Sequence, residues 1–185
     1  MATIIGLSGS LRAGSFNTAL LRAAVSLMPE NAQLLVKTIH GIPLYDGDVE
    51  ASTGIPAAVR ELGEAIANAD GLLLVTPEYN NSIPGPFKNA IDWLSRIDDD
   101  TKPVFAGKPV AVMGTSPGGF GTLLAQNAWL PVLRTLETRP WFGGRLVVSR
   151  AAGLFDAQSN LTDEGTKKKL REFMAGFSRY AQSLA

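Results

Sequence analysis

Cysteine is missing from all 185 residues of this chain, which removes disulfides, thiolate metal sites and a catalytic thiol together. Any redox chemistry is left to a bound cofactor. Histidine occurs once, at His40, with no second ligand beside it in sequence, so a metal role for it is not expected. An excess of either charge is lacking too. Seventeen basic and seventeen acidic side chains cancel, so no global field draws in nucleic acid or an anionic membrane surface. An anionic ligand must then be recognised locally. Nowhere do about 18 apolar residues follow one another, as a spanning helix requires, and the opening residues show no basic segment leading into an apolar run. The expectation is a soluble cytoplasmic protein, with partners that include neither membrane nor nucleic acid. A length of 185 residues with 45% hydrophobic content suits one compact core, hence a single domain over 1–185.

What the chain does contain is a regular alternation. Apolar, β-type runs at residues 3–7, 34–39, 71–75, 109–113 and 145–149 predict strands, and three of them are almost continuously apolar, as strands covered on both faces are. Residues 17–27, 57–69, 87–96, 121–136 and 162–184 carry helical periodicity. Pro29, Pro56, Pro84, Pro86 and Pro117, with their neighbouring glycines, punctuate the boundaries. No internal repeat or low-complexity tract interrupts the pattern. Five strand–helix units in one domain imply a doubly wound, three-layer α/β sandwich, because right-handed crossovers put helices on both faces of a parallel sheet. Ligands in such folds sit beyond the carboxyl ends of the strands, near the switch in strand order. Three loops therefore matter, those after the first, third and fourth strands.

The first loop reads GLSGSLRAGSFN at residues 6–17 and contains no carboxylate. Gly6, Gly9 and Gly14 do not have the spacing of a dinucleotide fingerprint, and Lys37 and Thr38 stand where such a site needs an acidic residue. A P-loop is equally disfavoured, since GSLRAGS lacks the lysine and no aspartate ends the third strand. What remains is a set of donors at a helix N-terminus, where unpaired N–H groups and the dipole favour an anion. Ser10, Ser15, Asn17 and Thr18 could donate to a phosphate monoester without metal, and Arg12 could add charge. An ordinary Ser/Gly turn with a helix cap explains this loop as well.

The second loop, TPEYNNSIPGPFKN at residues 76–89, is stiffened by prolines and offers backbone donors and a flat apolar wall to a planar polar ring. The third, TSPGGFG at 115–121, is glycine-dense, as a close approach of backbone to ligand requires, and Ser116 adds a hydroxyl. Three such loops at one sheet edge suggest a nucleotide with phosphate at one end and a heteroaromatic ring at the other.

GSLRAGSFN at 9–17, TPEYNNSIPGPFKNAIDWLSR at 76–96 and the Gly-rich turn following AGKPVAVMGTS resemble the NADPH-dependent FMN reductase family of flavodoxin-like proteins. The resemblance covers most of the chain and implies a five-stranded parallel sheet in the order 2-1-3-4-5, with FMN bound non-covalently. By motif position, Ser10, Arg12, Ser15 and Asn17 would contact the FMN phosphate, with Phe16 and Thr18 in the same cofactor site. Pro77, Glu78, Tyr79 and Asn80 would line the isoalloxazine, and Ser116, Gly118 and Gly119 would close its other side, where their backbone donors could stabilise charge on the reduced ring. The family's activity implies hydride transfer from NADPH or NADH through the flavin to quinones, free flavins, azo compounds or metal oxyanions such as chromate. No catalytic side chain is assigned. A homodimer, or a homotetramer built from dimers, is implied as well. A flavodoxin-type electron carrier is the competing reading, although a carrier usually presents a charged docking face and this chain is balanced. A nucleotide-binding regulator without flavin is a third.

Elsewhere the plain readings are expected. Asp98, Asp99 and Asp100 lack the alternate spacing of a calcium loop and read as a solvated helix exit. Lys167, Lys168 and Lys169 read as the wet face of the last helix. Trp93, Trp129 and Trp141 read as core or subunit contacts.

Overall fold

The structure, a computed structural model, describes residues 1–97 and 102–184, so the aspartates at 98–100 lie outside the described residues. Strands β1 (Ala2–Ser8), β2 (Ala32–Lys37), β3 (Gly71–Val75), β4 (Pro109–Thr115), β5 (Arg139–Pro140) and β6 (Leu146–Val148) form one parallel sheet. Its order is β2-β1-β3-β4-β5, with β6 also on β4. The order 2-1-3-4-5 expected from sequence is therefore present, with the fifth strand in two pieces. Pro109 and Val110 pair with Arg139 and Pro140, Met113 to Thr115 pair with Leu146 to Val148, and residues 141–145 bulge out between them.

Among the described residues, helices α1 (Phe16–Val25), α3 (Ala57–Ala67), α4 (Gly85–Leu94), α5 (Leu123–Thr135) and α6 (Glu164–Gln182) cover the sheet, while α2 (Gly47–Thr53) buries no residue. Strand parity explains how. Side chains alternate across a strand, so Ile5, Leu7, Leu72, Leu74 and Val110 face one layer, where α3, α4 and α5 pack Leu62, Ile66, Phe87, Ile91 and Trp129 against them. Ile4, Leu73, Val75, Ala111 and Met113 face the other, where α1 and α6 bring Leu20, Leu21, Leu170, Phe173 and Phe177. Trp93 and Trp129 are fully buried and belong to the first of these cores. Trp141 is half-buried on the second, its ring centroid 5.1 Å from that of Phe173.

The helices start where local chemistry lets them. Ser15 caps α1 by accepting the Thr18 amide, and Asp163 caps α6 by accepting the Thr166 amide at 2.6 Å. Proline opens α4 within its first turn, a position where the missing N–H has no partner to lose. Helix α2 and strand β5 have no counterpart in the sequence expectation. The first buries no residue and the second spans only Arg139 and Pro140, so neither generates a hydrophobic period.

Candidate functional site

Parallel strands running the same way deliver their carboxyl ends, and the loops beyond them, to one edge of the sheet. At this edge the chain leaves β1 through Gly9, whose N–H donates to Val75 O at 2.9 Å. A side chain here has no room. A Cβ on Gly9 would stand 2.1 Å from Phe87 Cδ1 in the first turn of α4, so glycine lets the loop cross the buried phenylalanine. The loop then turns over Ser10, which is buried and accepts the Arg12 amide, and closes with Ser15 N donating to Arg12 O. Arg12 itself is exposed and folds back, its Nη2 donating to Gly14 O at 2.7 Å.

Helix α1 starts here with donors to spare. Thr18 N is taken by the Ser15 hydroxyl and Ala19 N by Ser15 O, whereas the amides of Phe16 and Asn17 donate to no group among the described residues. With no acidic residue in the first turn of α1, the dipole's positive end stands uncompensated. Two of the side chains expected to face an anion are occupied otherwise. The Asn17 carboxamide is buried and spans to the end of β4, its Nδ2 donating to Thr115 O at 2.8 Å and its Oδ1 accepting Thr115 N at 2.9 Å. Asn17 thus stitches the first loop to the third. Thr18 shares a 2.8 Å hydrogen bond with Ser8. Phe16 is half-buried with its ring 5.6 Å from that of Phe155, a contact too distant in sequence to foresee.

The loop after β3 makes a sharper turn than its prolines suggest. Tyr79 N donates to Ser82 O and Ser82 N to Tyr79 O, while Asn80 and Asn81 adopt φ of 50° and 62°. Two consecutive positive φ values define a type I′ hairpin, which asparagine tolerates better than most residues. Asn80 therefore sits at the exposed tip, with Tyr79 48% exposed beside it and Pro77 buried beneath. Glu78 points elsewhere. Its Oε2 accepts Leu124 N at 2.8 Å and Ala125 N at 2.9 Å, at the start of α5.

In the third loop the Ser116 hydroxyl donates to Gly121 O at 2.7 Å, so it braces the glycine turn from within. Gly118 and Gly119 are exposed, a Cβ on Gly118 would meet only the Ser116 hydroxyl at 3.8 Å and one on Gly119 open space, and their amides donate to nothing among the described residues. Phe120 stands on this turn 81% exposed. Thr115 Oγ1 is buried at its base with no partner among the described residues.

Two supporting segments were invisible from the sequence. After β2, His40 reaches across to Leu11, with Nε2 3.1 Å from Leu11 O, so the lone histidine braces the first loop. After β6, Arg150 N donates to Gly118 O and Ala151 N to Ser116 O, tying down the third. Among the described residues no group of three His, Cys, Asp or Glu could hold a metal ion. A cavity of about 880 Å³ between α6 and the bulge at 141–145 is lined by none of these loop residues.

Unpaired amides at an uncompensated helix start suit a phosphate monoester, and exposed glycine backbone beside an aromatic suits a planar ring. At the switch point of a 2-1-3-4-5 sheet, this is the arrangement of a flavodoxin-like mononucleotide-binding protein. The comparisons agree and go further. The sequence profile of the family described as NADPH-dependent FMN reductase matches residues 2–153, and the chain belongs to that family. It is 40% identical over 181 residues to an NAD(P)H-dependent FMN reductase of Pseudomonas aeruginosa, covering 98% of this chain and 96% of that one. It is 38% identical over 185 residues to the quinone reductase of Escherichia coli K12, covering 97% and 95%. Among solved structures, the flavoenzyme NAD(P)H:(acceptor) oxidoreductase FerB of Paracoccus denitrificans superposes with a TM-score of 0.86 at 33% identity, over 99% of this chain and 98% of FerB. An archaeal flavodoxin, at 10% identity and a TM-score of 0.64, shares the fold alone. The chain is accordingly an enzyme of the oxidoreductase class, and the carrier reading falls behind.

Proposed function

We propose that this chain binds FMN at the carboxyl edge of its sheet and carries reducing equivalents from NADPH or NADH to quinone-type small-molecule acceptors. The observation that carries the reading is the pair of unpaired amides at Phe16 and Asn17, framed by the buried hydroxyls of Ser10 and Ser15 at the positive end of α1. These groups would hold the phosphate, and Arg12 would add charge by leaving Gly14 O for the anion. Bound FMN supplies a two-electron centre that takes a hydride and hands it on.

The chain's own residues do the rest. Pro77, Tyr79 and Asn80 present a rigid wall on one side, and Gly118 and Gly119 offer their amides on the other. Such preorganised N–H groups stabilise developing negative charge at little reorganisation cost. Phe120 and Tyr79, both exposed, give a planar donor or acceptor apolar surface to stack on. No side chain needs to shuttle a proton by itself. Quinones, free flavins, azo compounds and oxyanions such as chromate are acceptors compatible with a site of this openness. A cytoplasmic location, close to the reduced nicotinamide pool, belongs to the same proposal.

The test is anaerobic mixing of the FMN-loaded chain with NADPH or NADH. Rapid loss of the yellow absorbance without a partner reductase, followed by recovery on adding a quinone, is the expected result. Colour that persists with both nicotinamides would refute the enzyme assignment.

A further inference from the structure

Helix α5 is not capped from its own chain start. Its N-cap residue, Thr122, makes no capping hydrogen bond, and the Thr122 hydroxyl instead accepts from Gln126 Nε2 at 3.1 Å. No acidic residue lies in the first turn. The cap comes from 46 residues upstream, where the Glu78 carboxylate accepts the amides of Leu124 and Ala125. A carboxylate on two helix amides satisfies two orphan donors and sets its charge against the dipole. The contact also joins two loops of the site, one carrying Tyr79 and the Asn80–Asn81 turn, the other carrying Gly118, Gly119 and Phe120.

We propose that Glu78 is a positioning residue: by capping α5 it holds the loop after β3 in register with the loop after β4, and it sets the gap between the two walls without touching the ring. The inference rests on the FMN reading above. It assigns the acidic residue of the TPEYNN segment to helix capping rather than to the lining of the ring. The carboxylate's charge is partly offset by the α5 dipole, which weakens its opposition to electron density beside it. Freed of this tether, Pro77 to Tyr79 keeps its hairpin, whose hydrogen bonds run only between Tyr79 and Ser82, but loses its distance from the glycine turn. Local folding and site geometry therefore separate in the variants.

Two variants test this. In Glu78→Ala both amides lose their acceptor, and in Glu78→Gln the side-chain carbonyl still reaches them without the charge. Amide hydrogen exchange on the FMN-free chain is the first readout, with FMN dissociation by fluorescence titration the second and the split between kcat and KM for the nicotinamide the third. In Glu78→Ala, exchange at Leu124 and Ala125 should accelerate roughly fivefold to tenfold, as expected for a lost cap. FMN should bind about tenfold more weakly and kcat should fall with KM little changed, while Glu78→Gln stays within about threefold of the native chain on every readout. Faster exchange with FMN affinity and kcat both unaltered would reduce Glu78 to a structural cap and overturn the proposal. Unaltered exchange would overturn it at the contact itself. Should Glu78→Ala fail to fold, Glu78→Asp, one methylene short of α5, takes its place with the same expectations. A native chain that takes up no FMN would sink the cofactor reading and this inference with it. A native chain that binds FMN, beside an alanine variant that binds it equally well, would sink this inference alone.

Discussion

At the scale of single residues, the site is organised by polar side chains whose partners lie far away along the chain. Asn17 is the clearest case, because its carboxamide satisfies both the N–H and the C=O of Thr115, 98 positions on, in a place closed to water. Replacing it by alanine leaves two buried backbone groups without partners, and each such group costs about 1–3 kcal/mol. Asn17→Ala is therefore expected to lower the free energy of unfolding by roughly 2–4 kcal/mol in urea titrations, whether or not FMN is present. A loss confined to FMN binding would contradict the stitch. This residue also marks the limit of what the sequence could reveal. Its place in a donor-rich motif made Asn17 legible as important, and so was the whole run Ser10 to Thr18. That the amide would turn inward to β4 was not legible, since nothing local encodes a partner across two strands. Glu78 repeats the lesson, since its motif position marked it for the ring and its side chain is spent on a helix outside the motif. The Asn80–Asn81 turn escaped as well, because the prolines of this loop are its louder signal and overshadow two adjacent asparagines, residues that tolerate positive φ.

At the scale of elements, the long buried strands were readable because their apolar runs leave few alternatives, and the helices because each shows one apolar face. The elements without a period escaped, namely α2, which buries nothing, and β5, which is two residues long. Helix α5 continues through Pro131, as its periodicity suggested, since packing of Trp129 and Leu133 outweighs the missing donor. Helix α6 carries a consequence for pH. Hydrogen bonds from Thr166 hold the Asp163 carboxyl below its ordinary value of 3.8, outweighing the desolvation that pushes it up. A carboxyl depressed in the fold binds fewer protons than it does unfolded. Its contribution is thus present above the unfolded value and lost as pH falls through the depressed one. Urea midpoints measured from about pH 5 down to about pH 2 should decline for the native chain, and Asp163→Asn should flatten part of that decline while lowering the plateau. An unchanged pH profile in the variant would show that the cap does not titrate in this way.

At the scale of the whole molecule, an apolar patch beside α5 is uncovered. Phe142 is 75% exposed and Leu130 40% exposed, and with Pro131, Arg134, Thr138 and Pro140 they line an open cavity of about 490 Å³. Exposed aromatic and aliphatic groups gathered in this way suit burial against another copy of the chain. Sedimentation is expected to give a homodimer or homotetramer, and Phe142→Glu to shift it toward the monomer. A native chain that sediments as a monomer across the micromolar range would leave this patch without that role.

The bulge at 141–145 has an effect on a scale larger still. A parallel sheet that ends in a long straight strand presents a ladder of unused donors and acceptors, an invitation for a neighbouring molecule to add its own strand and for that one to recruit the next. Here the outermost lane is only two residues long below the bulge and three above it, so an incoming segment finds no continuous rail to copy. The interruption denies a copied strand at this edge of the sheet, opposite β2 and away from the switch point between β1 and β3.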